Sequence, residues 1–156
     1  TGVTLLPYTH AGAYMEVPEV DLVAAADISE ERLQDFSKRW GVKRLYTDYE
    51  EMLKNENLDI VSISASTHVH YEATMKAVEA GVKAIWCEKP IAECLEEADK
   101  MIEACDKAGV KLVINHVRRW DPYYRRAKEL IDSGEIGEVQ AIVGYMPEPL
   151  LFRGTH

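Results

Sequence analysis

Short apolar runs alternate with helically spaced stripes from one end of this sequence to the other, and no other feature constrains the fold as strongly. The runs fall at 22–26, 44–46, 60–65, 82–87, 111–115 and 138–145. Between the first two, Ser29 offers an N-cap, with Glu30 and Glu31 in the turn where the helix dipole favours negative charge. Leu33, Phe36 and Trp40 follow at helical spacing and Gly41 stops the helix. Thr47 and Glu50 have the spacing of a capping box for a short helix over 49–54. Val69, Ala73, Ala77 and Ala80 share one face of a helix that Gly81 ends. Leu95, Ala98, Met101, Ile102 and Cys105 stripe another, ended by Gly109. Asp121-Pro122 opens a further helix, with Ala127, Leu130 and Ile131 facing inward and Gly134 as its stop. Helices between short apolar strands predict an α/β fold built from βαβ units, with a parallel sheet covered on both faces.

Charge and cysteine usage narrow the function classes. The 156 residues carry a formal net charge of −9, a balance that repels phosphate backbones and argues against nucleic acid. The basic cluster of Arg118, Arg119, Arg125 and Arg126 is too short to reverse that expectation. Cys87, Cys94 and Cys105 are odd in number and show no C-x-x-C spacing. They read as free thiols in a reducing compartment, with the cytoplasm as the expected location. His68 and His70 flank Val69 at the start of a helix, where i and i+2 face apart, so no metal site is expected. No apolar run approaches the roughly 18–20 residues of a membrane span, and no signal peptide is visible.

The polar residues that can carry chemistry fall where strands end. The run at 82–87 stops on Glu88-Lys89-Pro90, which places a charged pair at the carboxyl rim of the sheet, where open α/β sheets bind ligands. The same residues also fit a solvated turn. Lys89 is either a surface lysine or, if desolvated in a cleft, a hydrogen-bond donor or an acid/base. Asp27 ends the run at 22–26, where an acid can bind ribose hydroxyls or simply occupy a strand-to-helix turn; Ile28 rather than an arginine follows it. The polar stretch around His68 and His70 is expected to line a cofactor cleft. The segment 115–122 places Arg118 and Arg119 after a strand, suited to an oxygen-rich substrate or to cofactor phosphates.

Taken together, Glu88-Lys89-Pro90, Ser66-Thr67-His68-Val69-His70-Tyr71, the segment 115–122 and Gly154-Thr155-His156 resemble the glucose–fructose oxidoreductase / inositol dehydrogenase (Gfo/Idh/MocA) family. The resemblance runs from about His10 to His156 and includes Tyr46-Thr47-Asp48-Tyr49-Glu50-Glu51 and the Arg126-Ala127-Lys128-Glu129-Leu130-Ile131 helix. It implies a Rossmann-type doubly wound parallel sheet over 1–120 and the beginning of a C-terminal α/β substrate and oligomerisation domain over 121–156. It implies hydride transfer between a nicotinamide and a sugar, inositol or related polyol, with Lys89 and His156 handling the proton. Gly2, Asp27, Ser66, Thr67, His70, Glu88, Lys89, Arg118 and Arg119 are the cofactor-binding positions that it implies. Asp27 leans the cofactor towards NAD, with NADP left open. The expected partners are a small polyol and, at full length, further copies of the chain.

Three departures accompany the resemblance. Thr4 and Pro7 stand where glycines of the phosphate loop are expected if Gly2 is the first of them, and Pro7 lacks an N–H; if Gly2 is the second, the loop after it is altered. Little or no chain precedes Gly2, so the first strand of the sheet is expected to be missing. Phe152 stands four residues before His156, where many members carry an aspartate. The chain is therefore expected to be an N-terminal fragment of a longer enzyme, inactive or weakly active alone. A non-catalytic dinucleotide- or sugar-binding regulator of the same fold is the alternative.

Overall fold

The structure, a computed structural model, describes residues 9–145. The chain forms two compact units, Thr1–Asn115 and His116–His156.

The first unit runs α1 (His10–Met15), β1 (Ala24–Ala26), α2 (Glu30–Trp40), β2 (Arg44–Tyr46), α3 (Tyr49–Asn55), β3 (Ile60–Ile63), α4 (Thr67–Glu79), β4 (Ala84–Cys87), α5 (Leu95–Ala108) and β5 (Lys111–Ile114). Every strand pairing is parallel: β1 with β2, and β3 with β4 with β5. This is the expected Rossmann-type α/β architecture, with a helix joining each consecutive pair of strands. Among the described residues no strand bridges β1 and β3; α3 packs against β1, β2 and α4.

Local chemistry explains the helix ends. Ser29 Oγ accepts from the Arg32 N–H at the start of α2, and Gly41 takes the left-handed conformation (φ 75°) at its end. Gly109 does the same for α5 (φ 71°). At α3 the cap is Asp48, not Thr47: its carboxylate accepts from the Glu50 N–H at 2.8 Å, so the helix begins one residue later than a Thr47 cap requires. α4 begins at Thr67, which places His68 and His70 in its first turns.

The core lies on one face of β3–β4–β5. Val61, Ile63, Ile85 and Cys87 alternate inward and meet Ala73 and Ala77 of α4 and Cys105 of α5. The α5 stripe is narrower than its spacing suggests, since Ala98, Met101 and Cys105 are buried while Leu95 and Ile102 are exposed. On the other face, α1 lays His10 and Tyr14 against Trp86, whereas Ile60 and Val113 stay exposed.

The second unit holds a short 3-10 turn (Val117–Arg119) and α6 (Pro122–Asp132), started by Asp121 with Pro122 in its first turn. Ala127 and Ile131 of α6 are exposed and Leu130 is half-buried, so the expected inward stripe is not buried. The expected strand at 138–145 does not form. Ile142, Val143 and Tyr145 are exposed. β-propensity makes a strand only where a neighbour completes its ladder, and none pairs with this segment among the described residues.

Candidate functional site

Register creates the site. Ile63, Cys87 and Ile114 stand level across β3, β4 and β5, so the chain leaves all three strands at one rim. The ladder continues one residue further: the Glu88 N–H donates to the Ile63 carbonyl at 2.9 Å and the Asn115 N–H to the Cys87 carbonyl at 2.8 Å. Glu88 and Asn115 are thereby held side by side, and Asn115 Nδ2 donates to Glu88 Oε1 at 2.7 Å.

His10 enters this rim from α1. Its Nε2 lies 3.1 Å from Glu88 Oε1 and 3.2 Å from Asn115 Nδ2, while its Nδ1 meets Ser62 Oγ, with Ser64 Oγ at 3.3 Å. A carboxylate only accepts, so Nε2 is the donor to Glu88, and in the neutral ring Nδ1 accepts from a serine hydroxyl. The imidazole stacks on Trp86 with centroids 4.2 Å apart and planes 13° apart. Tyr14 meets the same indole edge-on at 5.6 Å. Burial pushes the Tyr14 phenol up, with Ser62 acting the other way.

Glu88 is tuned by competing effects. Burial works to raise its carboxyl, but hydrogen bonds from Asn115, the Lys89 N–H and His10, with the charge of His10, outweigh burial and hold it below the usual range. Oε2 accepts the Lys89 N–H at 3.2 Å. The Lys89 side chain is exposed, and the Lys89–Pro90 peptide is cis.

The other residues singled out from sequence are distributed as follows. His70, in the first turns of α4, is only 1% exposed; its Nδ1 contacts the Pro90 carbonyl at 2.8 Å and its Nε2 the Ala65 carbonyl at 3.0 Å. Each ring nitrogen faces a backbone carbonyl. Ser66 occupies the N-cap position of α4 and is exposed, and Thr67 is half-buried beside it. Asp27 follows β1; its N–H donates to the Tyr46 carbonyl at 3.1 Å and its carboxylate accepts the Ser29 N–H at 2.8 Å, with Arg32 3.9 Å away. Arg118 and Arg119 lie in the 3-10 turn of the second unit, where Arg118 donates to the Tyr124 hydroxyl at 2.9 Å. Gly2, His156 and the departures at Thr4, Pro7 and Phe152 lie outside the described residues. Among the described residues, no three His, Cys, Asp or Glu side chains gather as metal ligands, and no helix is long and apolar enough to cross a membrane.

His10, Ser62 and Ser64 carry this cluster, and sequence reasoning does not single them out. A signal exists: Ser62 and Ser64 recur at period two in an otherwise apolar run, which marks one face of that strand as polar.

The family model described as the oxidoreductase family with an NAD-binding Rossmann fold matches residues 1–116. Among curated proteins the chain is 36% identical to D-apiose dehydrogenase of Paraburkholderia graminis, over 82% of this chain and 34% of that protein. It is 33% identical to myo-inositol 2-dehydrogenase of Thermotoga maritima, over 83% of this chain and 38% of that protein. Among solved structures, scyllo-inositol dehydrogenase from Lactobacillus casei with bound NAD(H) and scyllo-inositol superposes with a TM-score of 0.78 at 27% identity, over 83% of this chain and 38% of that one. The chain thus spans 34% and 38% of the length of these two curated relatives. A family match over 1–116, on a fold that superposes this well, makes the chain a member of the Gfo/Idh/MocA oxidoreductases, the family built on an NAD-binding Rossmann fold.

Proposed function

We propose that the whole protein is a nicotinamide-dependent dehydrogenase acting on a hydroxyl of a sugar, inositol or related polyol. The observation that carries this reading is the Glu88-Lys89-Pro90 turn, held at the carboxyl rim of β4 by bonds from Asn115 and His10 to Glu88. That rim is where a parallel α/β sheet binds a dinucleotide. The relatives named as dehydrogenases of apiose and inositol support the substrate class.

The residues present fit a dinucleotide. The Asp27 carboxylate stands at the end of β1 with its side chain 35% exposed, a partner for ribose hydroxyl donors. A carboxylate repels a 2′-phosphate, and Ile28 rather than an arginine follows it, so NAD is favoured over NADP. Ser66 and Thr67 line the neighbouring rim at the start of α4. Arg118 and Arg119 serve the junction between cofactor and substrate. When bound, the nicotinamide supplies the hydride acceptor or donor.

Lys89 acts on the substrate together with His156. Its ammonium donates to the reacting hydroxyl oxygen and steadies the negative charge that develops there as the proton leaves. His156 shares the proton transfer and Gly2 belongs to the phosphate loop. The Rossmann domain spans 1–120 and the substrate domain begins at 121; the enzyme assembles as a homo-oligomer in the cytoplasm.

The test is a titration of the full-length protein with NADH and NADPH, followed by a sugar and polyol panel read at the nicotinamide absorbance. Tighter NADH binding and turnover of at least one polyol is the expected result. Binding of neither cofactor overturns the reading.

A further inference from the structure

We propose that His10 and His70 are positioning residues that hold the Glu88-Lys89-Pro90 turn from its two ends and so set where Lys89 stands. The inference rests on the dehydrogenase reading of Lys89.

The turn has few anchors of its own. Lys89 is exposed, and Pro90 has no N–H to donate. Two rings supply what the backbone lacks. On one side His10 donates to Glu88 Oε1, and the other oxygen of the same carboxylate accepts the Lys89 N–H. The path from imidazole to carboxylate to the Lys89 amide is continuous. On the other side His70 reaches the Pro90 carbonyl with Nδ1 and the Ala65 carbonyl with Nε2, joining the turn after β4 to the loop after β3. A carbonyl only accepts, so the ring nitrogen that carries the proton donates to the carbonyl it faces.

Neither ring is placed to meet a ligand directly. His70 is almost completely buried with each ring nitrogen facing a backbone carbonyl, and the His10 side chain is 12% exposed beneath its stack on Trp86. Their effect on chemistry passes through the turn. The resemblance places His70 among cofactor contacts; the geometry makes it a strut beneath one. The two rings come from α1 and α4, so the position of Lys89 depends on both helices.

The experiment compares His10→Ala, His10→Gln, His70→Ala, His70→Gln and Lys89→Met in the full-length protein. It reads kcat, KM for the best polyol of the panel, NADH affinity, and hydrogen exchange at the Lys89 amide. A displaced reacting group costs rate more than binding, so the alanine variants lower kcat by about 10- to 100-fold while KM and NADH affinity move little. The Lys89 amide exchanges faster in both, and the glutamines, which keep a donor amide, recover part of the rate and of the protection. If an alanine variant fails to fold, its glutamine partner decides: reduced kcat with faster Lys89 exchange supports the inference, and wild-type values for both overturn it. Unchanged kcat in the histidine variants, alongside an impaired Lys89→Met, overturns the inference and leaves the dehydrogenase reading standing. Full activity of Lys89→Met overturns the role of Lys89 instead. Amide exchange then decides the positioning claim alone, and unchanged exchange in the histidine variants overturns it.

Discussion

Asn115 Nδ2 donates to Glu88 Oε1 at 2.7 Å and so ties the end of β5 to the end of β4. Asn115 is buried and Glu88 is half-buried, so the bond is not readily replaced by water. Asn115→Leu removes the donor and leaves a charged acceptor facing an apolar group. The expected loss is about 1–3 kcal/mol of unfolding free energy, read from urea denaturation.

The same carboxylate makes stability depend on acidity. Burial works to raise Glu88, but its hydrogen bonds from Asn115, Lys89 and His10 hold it below the ordinary glutamate value of 4.5. Between the folded value and 4.5, the unfolded chain binds more protons, so stability rises with pH. The contribution is complete above 4.5 and is lost as pH falls through the folded value. Urea midpoints of the protein and of Glu88→Gln are expected to lie apart at neutral pH and to converge below the glutamate range. A gap that widens on acidification contradicts the assignment.

Parts of this fold are legible from neighbours in sequence, and the contacts that assemble the site are not. Ser29, Gly41 and Gly109 mark helix ends through bonds and dihedrals spanning a few residues, and the structure uses all three. Arg44–Tyr46 is a strand although only three residues long, because it follows a helix stop and meets β1. The segment 138–145 is richer in β-branched residues (Val139, Ile142, Val143) and forms none, because a strand is a property of two segments. His10 illustrates the limit most clearly. It stands 52 positions from Ser62, 78 from Glu88 and 105 from Asn115, and only the parallel register of three strands brings those partners to it. Glu88-Lys89-Pro90 is visible as a local motif; what holds it is not.

Ile85 and Ile60 separate burial from composition. Ile85 lies in the middle of the core face of β4, almost fully buried, while Ile60 opens β3 on the opposite face and is itself exposed. Ile85→Ala leaves a cavity among Val61, Ala77 and the rest of the core cluster, at an expected cost of about 2–5 kcal/mol. Ile60→Ala removes the same atoms from a site already 41% exposed and is expected to cost about 1 kcal/mol or less. Equal losses in urea denaturation contradict the placement of the core on that one face.

Cysteine labelling tests the same core by an independent route. Cys94 is exposed at the start of α5, whereas Cys87 and Cys105 are buried. Burial, with the neighbouring Glu88 charge, pushes the Cys87 thiol up to about 12, and burial with Asp106 raises Cys105. Only the thiolate reacts, so the two buried cysteines are doubly protected, by access and by protonation. An aromatic disulfide reagent at mildly alkaline pH is expected to label Cys94 at once in the native protein, and Cys87 and Cys105 only through opening of the sheet and α5. Their labelling rate then follows the opening equilibrium, so Ile85→Ala accelerates both buried thiols in proportion to the stability it removes and leaves the Cys94 rate alone. Rapid labelling of Cys87 in the unmodified protein, at a rate matching Cys94, contradicts the packing of β4 against α4 and α5.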